Sequence, residues 1–394
     1  MESAYYGSDR QARMLRQDVQ DRWQDAYQPL RHLDPILVLA ALGLAAIGIV
    51  MVHSATAGLL RERSADPMLF TTKQIISLGI GIGAMIAMAL FDYRHFRAWS
   101  IPFYIAVVVL LAAVLTPMGL TVNGAQRWIQ FGGFQVQPSE LAKVAVILLI
   151  GALLHEQKGD IGLGAIMSAL ALLAVPMGLI FLEPDLGTMI VFIWLGFVLF
   201  LIAGVKARYL VGLAAMGVGA IFVAFQLELI KAYQLTRLTA FLDAGSDELS
   251  RSSGYHLDQA LIAIGSGQLT GKGLGQGSQN TLRYVPENHT DFIFTVVGEE
   301  LGFLGAVLVL GLFAILLWRG LRIAALAKDQ YGRLIAAGTV GLISLQVLVN
   351  IGMTVGIMPV TGMPLPFVSY GSNALIAFFM LVGAMLNVHM RRFN

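Results

Sequence analysis

PILVLAALGLAAIGIVMVHSATAGLL, residues 35–60, holds no Asp, Glu, Lys or Arg. A helix crossing the ~30 Å hydrocarbon layer needs ~20 mostly apolar residues. The stretch is therefore long enough to span a bilayer, and the rest of the chain repeats its character. Hydrophobic residues make up 57% of the 394 residues, charged residues 13%, and mean hydropathy is +0.74. A soluble chain averages about a quarter charged residues. The composition excludes a soluble globular enzyme, a disordered chain and, with a net charge of +2, a nucleic-acid binder. No cysteine is present, so disulfides, thiolate metal sites and Cys nucleophiles are excluded as well.

Further runs with little or no charge lie at 74–91, 99–120, 140–154, 161–182, 186–205, 209–227 and 301–318. The charge-free run 334–390 is too long for one helix, and Pro359, Pro364 and Pro366 divide it into 334–358 and 372–389. The expectation is an all-α polytopic membrane protein of ten transmembrane helices. The weakest span, 140–154, carries Lys143, which is expected to snorkel toward the headgroups. Lys and Arg set the orientation. Arg10, Arg13, Arg16, Arg22, Arg31, Arg94, Arg97, Lys158, Lys206, Arg208, Arg319, Arg322, Lys328, Arg333, Arg391 and Arg392 fall on one side. The short loops of the other side hold only Arg61, Arg63 and Arg127. Both termini are expected in the cytoplasm. Residues 1–34 read as a cytoplasmic tail without the apolar core of a signal peptide, and 35–390 as the membrane domain.

One long outer loop, 228–290, is expected to carry short amphipathic helices. Leu235, Leu238 and Leu242 recur at helical spacing, as do Leu257, Leu261 and Ile264. Its run Gly271-Lys-Gly-Leu-Gly-Gln-Gly277 reads either as a flexible turn or as backbone that must approach a bulky ligand. No internal repeat is visible, which argues against a transporter built on inverted repeats.

Ionisable groups at the ends of spans are functional candidates, and four clusters fall on the outer side. Asn123-Gly-Ala-Gln-Arg-Trp-Ile-Gln-Phe-Gly-Gly133 leads into Gln137-Pro-Ser-Glu-Leu-Ala-Lys143. Glu140 and Lys143 share a helix face and can pair. Trp128 suits an interfacial belt, and Arg127 suits a diphosphate. Glu183-Pro-Asp-Leu-Gly-Thr188 places two acids in a tight turn. Asp185 caps the next helix, or the pair binds a divalent cation, or it faces a lysine such as Lys143. Pro286-Glu-Asn-His-Thr-Asp-Phe-Ile-Phe294 precedes Gly298-Glu-Glu-Leu-Gly302. There Asp291 opens a span, as a cap or as something more, and His289, Thr290 and Glu300 join it as substrate-binding candidates. The last cluster is Gly356-Ile-Met-Pro-Val-Thr-Gly-Met-Pro-Leu-Pro-Phe-Val-Ser-Tyr-Gly371. It reads as a rigid re-entrant turn, with Ser369 offering a hydroxyl to a sugar or phosphate.

These segments, in this order, resemble the SEDS family (shape, elongation, division and sporulation), over nearly the whole chain from the first span onward. Gly271-Lys-Gly, Gln276-Gly-Ser-Gln279 and Gly298-Glu-Glu-Leu-Gly-Phe303 look more like the RodA elongation branch than the FtsW division branch. The family usually has Ser-Tyr-Gly-Gly-Ser, whereas Gly371 here is followed by Ser372 and Asn373. The resemblance implies a peptidoglycan glycosyltransferase of the bacterial cytoplasmic membrane. It would polymerise lipid II at the outer face, with undecaprenyl diphosphate leaving. Asp291 would be the general base. Arg127, Trp128, Lys143, Glu140, Asp185, His289, Thr290, Glu300 and Ser369 would surround the substrate. A divalent cation (Mg²⁺ or Mn²⁺) on Glu183 and Asp185, a class B penicillin-binding protein and the elongation machinery are implied partners. Rival readings are a lipid II flippase, which would need a polar path across the whole membrane, and a scaffold, which would not need Asp291.

Overall fold

In hydrocarbon the backbone must close its hydrogen bonds internally, so apolar runs become helices. The computed structural model describes residues 32–122, 125–132, 134–157, 160–226, 253–281, 284 and 287–393. The helices are α1 (Pro35–Glu62), α2 (Leu69–Leu90), α3 (Tyr93–Val114), α4 (Pro138–His155), α5 (Leu163–Leu182), α6 (Leu186–Ala203) and α7 (Ala207–Gln226). After them come α8 (Ser253–Ser266), the single turn α9 (Ser278–Thr281), α10 (Ile293–Glu300), α11 (Gly302–Ala325), α12 (Gln330–Thr354) and α13 (Ser372–Met390). Among the described residues nine are long and apolar enough to cross a membrane: α1 to α6 and α11 to α13. The chain is thus a multi-pass membrane protein. The expected span over 209–227 corresponds to α7, whose described apolar stretch, Ala207–Gly219, is shorter than the nine.

Three helices form the centre. Most residues of α4, α12 and α13 are buried, against fewer than a third of those of α2, α3, α5 and α11. α2 lies along α13, α3 along α4, and α6 along α12. Acids begin several helices, where they meet free N–H groups and the positive dipole end. Asp34 caps α1 through Leu37 N, Asp92 caps α3 through Arg94 N, and Asp329 caps α12 through Gly332 N.

Three expectations are corrected and one is extended. The centrality of α4 keeps Lys143 from snorkelling: it is 2% exposed and lies deep among helices. The third span stops at Val114 and not at Leu120, because Pro117 follows and residues 119–122 are extended. The all-α class holds, with one short sheet added that the sequence reading does not expect. Gly119–Val122 (β1), Ala125–Phe131 (β2) and Phe134–Val136 (β3) form an antiparallel sheet in the order β1-β2-β3. Trp128 opposes Leu120, and Ile129 opposes Val136. Finally, Asp291 does not open a span. It precedes the short helix α10, which ends before Gly302, a residue held at φ +66°.

Of the expected loop helices, the one through Leu257, Leu261 and Ile264 is α8, packed against α10 with Leu257 buried. The one through Leu235, Leu238 and Leu242 lies outside the described residues, as does the tail before His32.

Candidate functional site

Contacts between loops bring the sequence clusters together at one end of the bundle. β2 carries Arg127 across the α5–α6 turn. Its Nε donates to the Glu183 carbonyl at 3.2 Å and its Nη2 to the Pro184 carbonyl at 2.6 Å, while Nη1 lies 3.4 Å from Asp185 Oδ2. Asp185 also caps α6, accepting from Thr188 N at 3.1 Å and from the Thr188 hydroxyl at 3.0 Å. Asp185 is thus the cap of α6, and Arg127 packs on the same turn. Gly187 in that turn backs onto the proline-rich loop: a Cβ there would fall 2.9 Å from the Thr361 carbonyl oxygen.

The same loop holds Asp291. A Cβ on Gly362 would lie 3.3 Å from Asp291 Oδ2, so the carboxylate rests against that glycine. Asn350 of α12 donates from one amide nitrogen to the carbonyls of Asp291 and Met363, at 2.8 and 2.7 Å. Asp291 is not the cap of α10; Phe292 occupies that position and makes no side-chain cap bond. Ser369 donates to the Thr290 carbonyl at 2.6 Å and accepts from Leu365 N at 2.8 Å. Its hydroxyl thus fastens the loop to the segment before α10. Gln74 of α2 holds the Ser369 carbonyl at 3.1 Å.

His289 packs against Phe70 at a tilt and Tyr370 meets it edge-on, with ring centroids 5.4 and 5.0 Å apart. Burial lowers the His289 pKa and raises that of Tyr370, so both sit as neutral, half-buried groups. Trp128 is half-buried on β2. Lys143 Nζ lies 2.6 Å from Glu140 Oε2 and 5.7 Å from the Phe378 ring centroid. This is the expected i,i+3 pair, now inside the bundle.

The glycine-rich segment has a third explanation. Its backbone approaches the protein's own α10–α11 junction: Cβ atoms on Gly271 and Gly302 would fall 2.1 Å from the Glu300 carbonyl oxygen and 2.3 Å from Gly271 N. Two buried acids fasten it. Glu299 Oε1 takes Lys272 Nζ at 2.7 Å and Gln279 N at 3.0 Å. Glu300 Oε2 accepts from the Ser54 hydroxyl at 2.5 Å, and Ser54 in turn accepts from Gly275 N at 2.8 Å.

With this arrangement in view, comparison with known proteins decides the family. The family model for the cell cycle proteins FtsW, RodA and SpoVE matches residues 35–394. The chain belongs to the FtsW–RodA–SpoVE family. It is 40% identical to stage V sporulation protein E of Bacillus subtilis, which covers 90% of this chain and 96% of that protein. It is 38% identical to the peptidoglycan glycosyltransferase MrdB of Escherichia coli K12, over 92% of this chain and 94% of that one. FtsW of Geobacter metallireducens is 35% identical over 92% and 96%. A solved chain from a peptidoglycan synthase complex that coordinates polymerization and crosslinking superposes with a TM-score of 0.76. It shares 32% identity and covers 91% of this chain and 98% of its own. RodA of Thermus thermophilus superposes with a TM-score of 0.65, at 29% identity over 92% and 98%.

A divalent ion resident on Glu183 and Asp185 fits this family member poorly. Asp185 is already committed to Thr188 and Arg127, and a cation beside that guanidinium would be repelled. Among the described residues no group of three or more His, Asp or Glu is placed to hold a metal. Sequence reasoning also passed over Asn350, Gln74 and Ser54, which hold the site together. Their common signal was available: polar side chains within otherwise apolar helices.

Proposed function

We propose that this family member is a peptidoglycan glycosyltransferase, polymerising lipid II as the RodA, FtsW and MrdB relationship implies. A glycan on undecaprenyl diphosphate is the donor and a second lipid II the acceptor. The acceptor sugar hydroxyl attacks the donor's anomeric carbon. Its proton passes to the Asp291 carboxylate, the new β-1,4 C–O bond forms, and the bond to the diphosphate breaks with its electron pair. A sugar hydroxyl is a poor nucleophile, so a positioned carboxylate contributes most as bond formation proceeds through an oxocarbenium-like state.

One observation carries the assignment: Asp291 stands where the proline-rich loop, Asn350 and the segment before α10 converge, its Oδ2 3.3 Å from the place a Cβ on Gly362 would take. Arg127, half-exposed beside Asp185, is our assignment for the leaving diphosphate, whose developing charge needs a cation. Trp128, His289 and Thr290 are proposed to line the sugar. Glu140, Lys143, Glu300 and Ser369 are proposed to shape the site from behind, since their polar atoms serve internal pairs and bonds.

The distribution of Lys and Arg supports ten spans with both termini cytoplasmic, and hence a site on the outer face of the cytoplasmic membrane. The likeness to a synthase complex supports a class B penicillin-binding protein as partner. The identities to SpoVE, MrdB and FtsW lie in a narrow band, so the elongation role rests on the 271–279 and 298–303 segments. Rounded cells on depletion would support elongation, and filaments would indicate division. The deciding assay is polymerisation of purified lipid II with and without the transpeptidase. Absence of glycan chains under both conditions would sink the proposal.

A further inference from the structure

Glu183 follows the last turn of α5 and is 1% exposed. Neither of its carboxylate oxygens meets a hydrogen-bond donor among the described residues. Two charged groups act on it, Asp185 of like sign on the next helix and Arg127 on β2. Arg127 offers it little: its nitrogens already hold the Glu183 and Pro184 carbonyls and the Asp185 carboxylate. A buried carboxylate without donors is strongly disfavoured, whereas the protonated acid is tolerated.

The turn that contains Glu183 bears on the chemistry through contacts already described. Gly187 backs onto Thr361, and the next residue of that loop, Gly362, supports Asp291 Oδ2. Resting on the glycosyltransferase reading, we infer that Glu183 is a positioning residue for glycan transfer and acts as the neutral acid. Uncharged, it leaves Arg127 to Asp185 and so keeps the turn seated behind the Asp291 loop.

Burial pushes the Glu183 carboxyl up to about 8, with Asp185 adding to the rise and Arg127 opposing it. The sign follows. Below that value the acid is neutral and the Arg127–Asp185 pair is undisturbed. As pH rises through it, the new charge repels Asp185 and competes for Arg127. The group's contribution to stability is full below the ordinary carboxylate range and is lost as pH rises toward the folded value.

The test compares wild type, E183Q and E183A as full-length protein with the transpeptidase, measuring lipid II polymerisation and melting temperature on both sides of pH 8. The amide keeps the shape and the neutrality. E183Q should therefore match the wild-type rate below pH 8 and keep it above, where the wild type falls by about tenfold per pH unit. Its melting temperature should exceed that of the wild type by a margin that grows up to about pH 8 and stays constant above it. E183A should lose rate at every pH. A folded E183Q that is inactive below pH 8 would overturn the inference, because a charge would then be required. An E183Q rate profile or melting curve that superimposes on the wild type would overturn it as well. Infrared difference spectra of the wild type across pH 8 read the proton without any variant and without any activity. A protonated-carboxyl band should vanish with a midpoint near about 8, and its absence would refute the neutral acid whatever the reaction proves to be.

Discussion

The two ends of the bundle treat polar groups differently. At the end where α1 begins, polar side chains tie helices to one another. Asp34 caps α1 and holds Arg319 of α11 at 2.5 Å. Tyr93 donates to Asp329 at 2.8 Å, joining α3 to α12. Asn387 of α13 accepts from Tyr93 N and donates to the Met88 and Phe91 carbonyls, while Arg391 pairs with Asp92. The buried atoms left without a bond there include imidazole and phenol atoms of His155, His389 and Tyr331. At the site end the unbonded set includes both oxygens of a carboxylate, Glu183, together with Thr361 Oγ1, Asn350 Oδ1 and Ser139 Oγ. An end that only closes a bundle gains from mutual satisfaction. A buried carboxyl without donors is the costliest of these exceptions, and Glu183 makes it at the site end. A flippase would need such groups across the whole membrane; here the charge pairs of the α1 end fasten helix to helix.

The largest effect expected from this contrast is at Asp291. Asp291→Asn should cut polymerisation by about 10²–10⁴-fold, the range of a lost general base, with melting unchanged. Gel assay of glycan chains measures it, and full activity would remove the base. Lys143→Met comes next, and its cost is in stability. Leaving the buried Glu140 without its cation should cost about 3–5 kcal/mol. Adding Glu140→Gln should recover most of that loss, and a double-mutant cycle without coupling would break the reading of a structural pair.

How much of this was readable beforehand follows from the range of each interaction. Helices were legible because burial in lipid imposes a local rule on every residue between 35 and 60. The four clusters of the site end were legible as motifs, and Glu140–Lys143 as an i,i+3 pair. The sheet was missed although Asn123-Gly124, the strongest short hairpin signal, stood between its strands. The depth of Lys143 was missed because centrality is a property of packing: nothing in 138–155 says that α3, α12 and α13 will surround it. The same holds for Ser369, whose hydroxyl was read as facing a substrate until Thr290 and Leu365 were brought to it from elsewhere in the fold.

The opposite end supplies the control. Asp34→Asn keeps an N-cap but discharges the buried pair with Arg319, at a cost of about 1.5–3 kcal/mol. The expected result is a lower melting temperature with kcat unchanged, because no contact of Asp34 reaches the site end. A fall in kcat larger than the loss of folded protein would mean that the two ends communicate.

The smallest effect tests the boundary between the two kinds of end. Ser54 stands at the site end yet behaves like the groups of the other one. Its hydroxyl bridges the buried Glu300 and Gly275 N, fastening α1 to the glycine-rich segment. Ser54→Ala removes one donor and one acceptor, which should lower stability by about 1–3 kcal/mol through the imperfectly satisfied Glu300. If Glu300 serves only to hold that segment, KM for lipid II stays constant while melting temperature falls. If Glu300 also meets substrate, losing the serine loosens that carboxylate, and KM moves without a matching change in melting. The ratio of the two shifts then says whether the site begins at Glu300 or stops short of it, at Asp291.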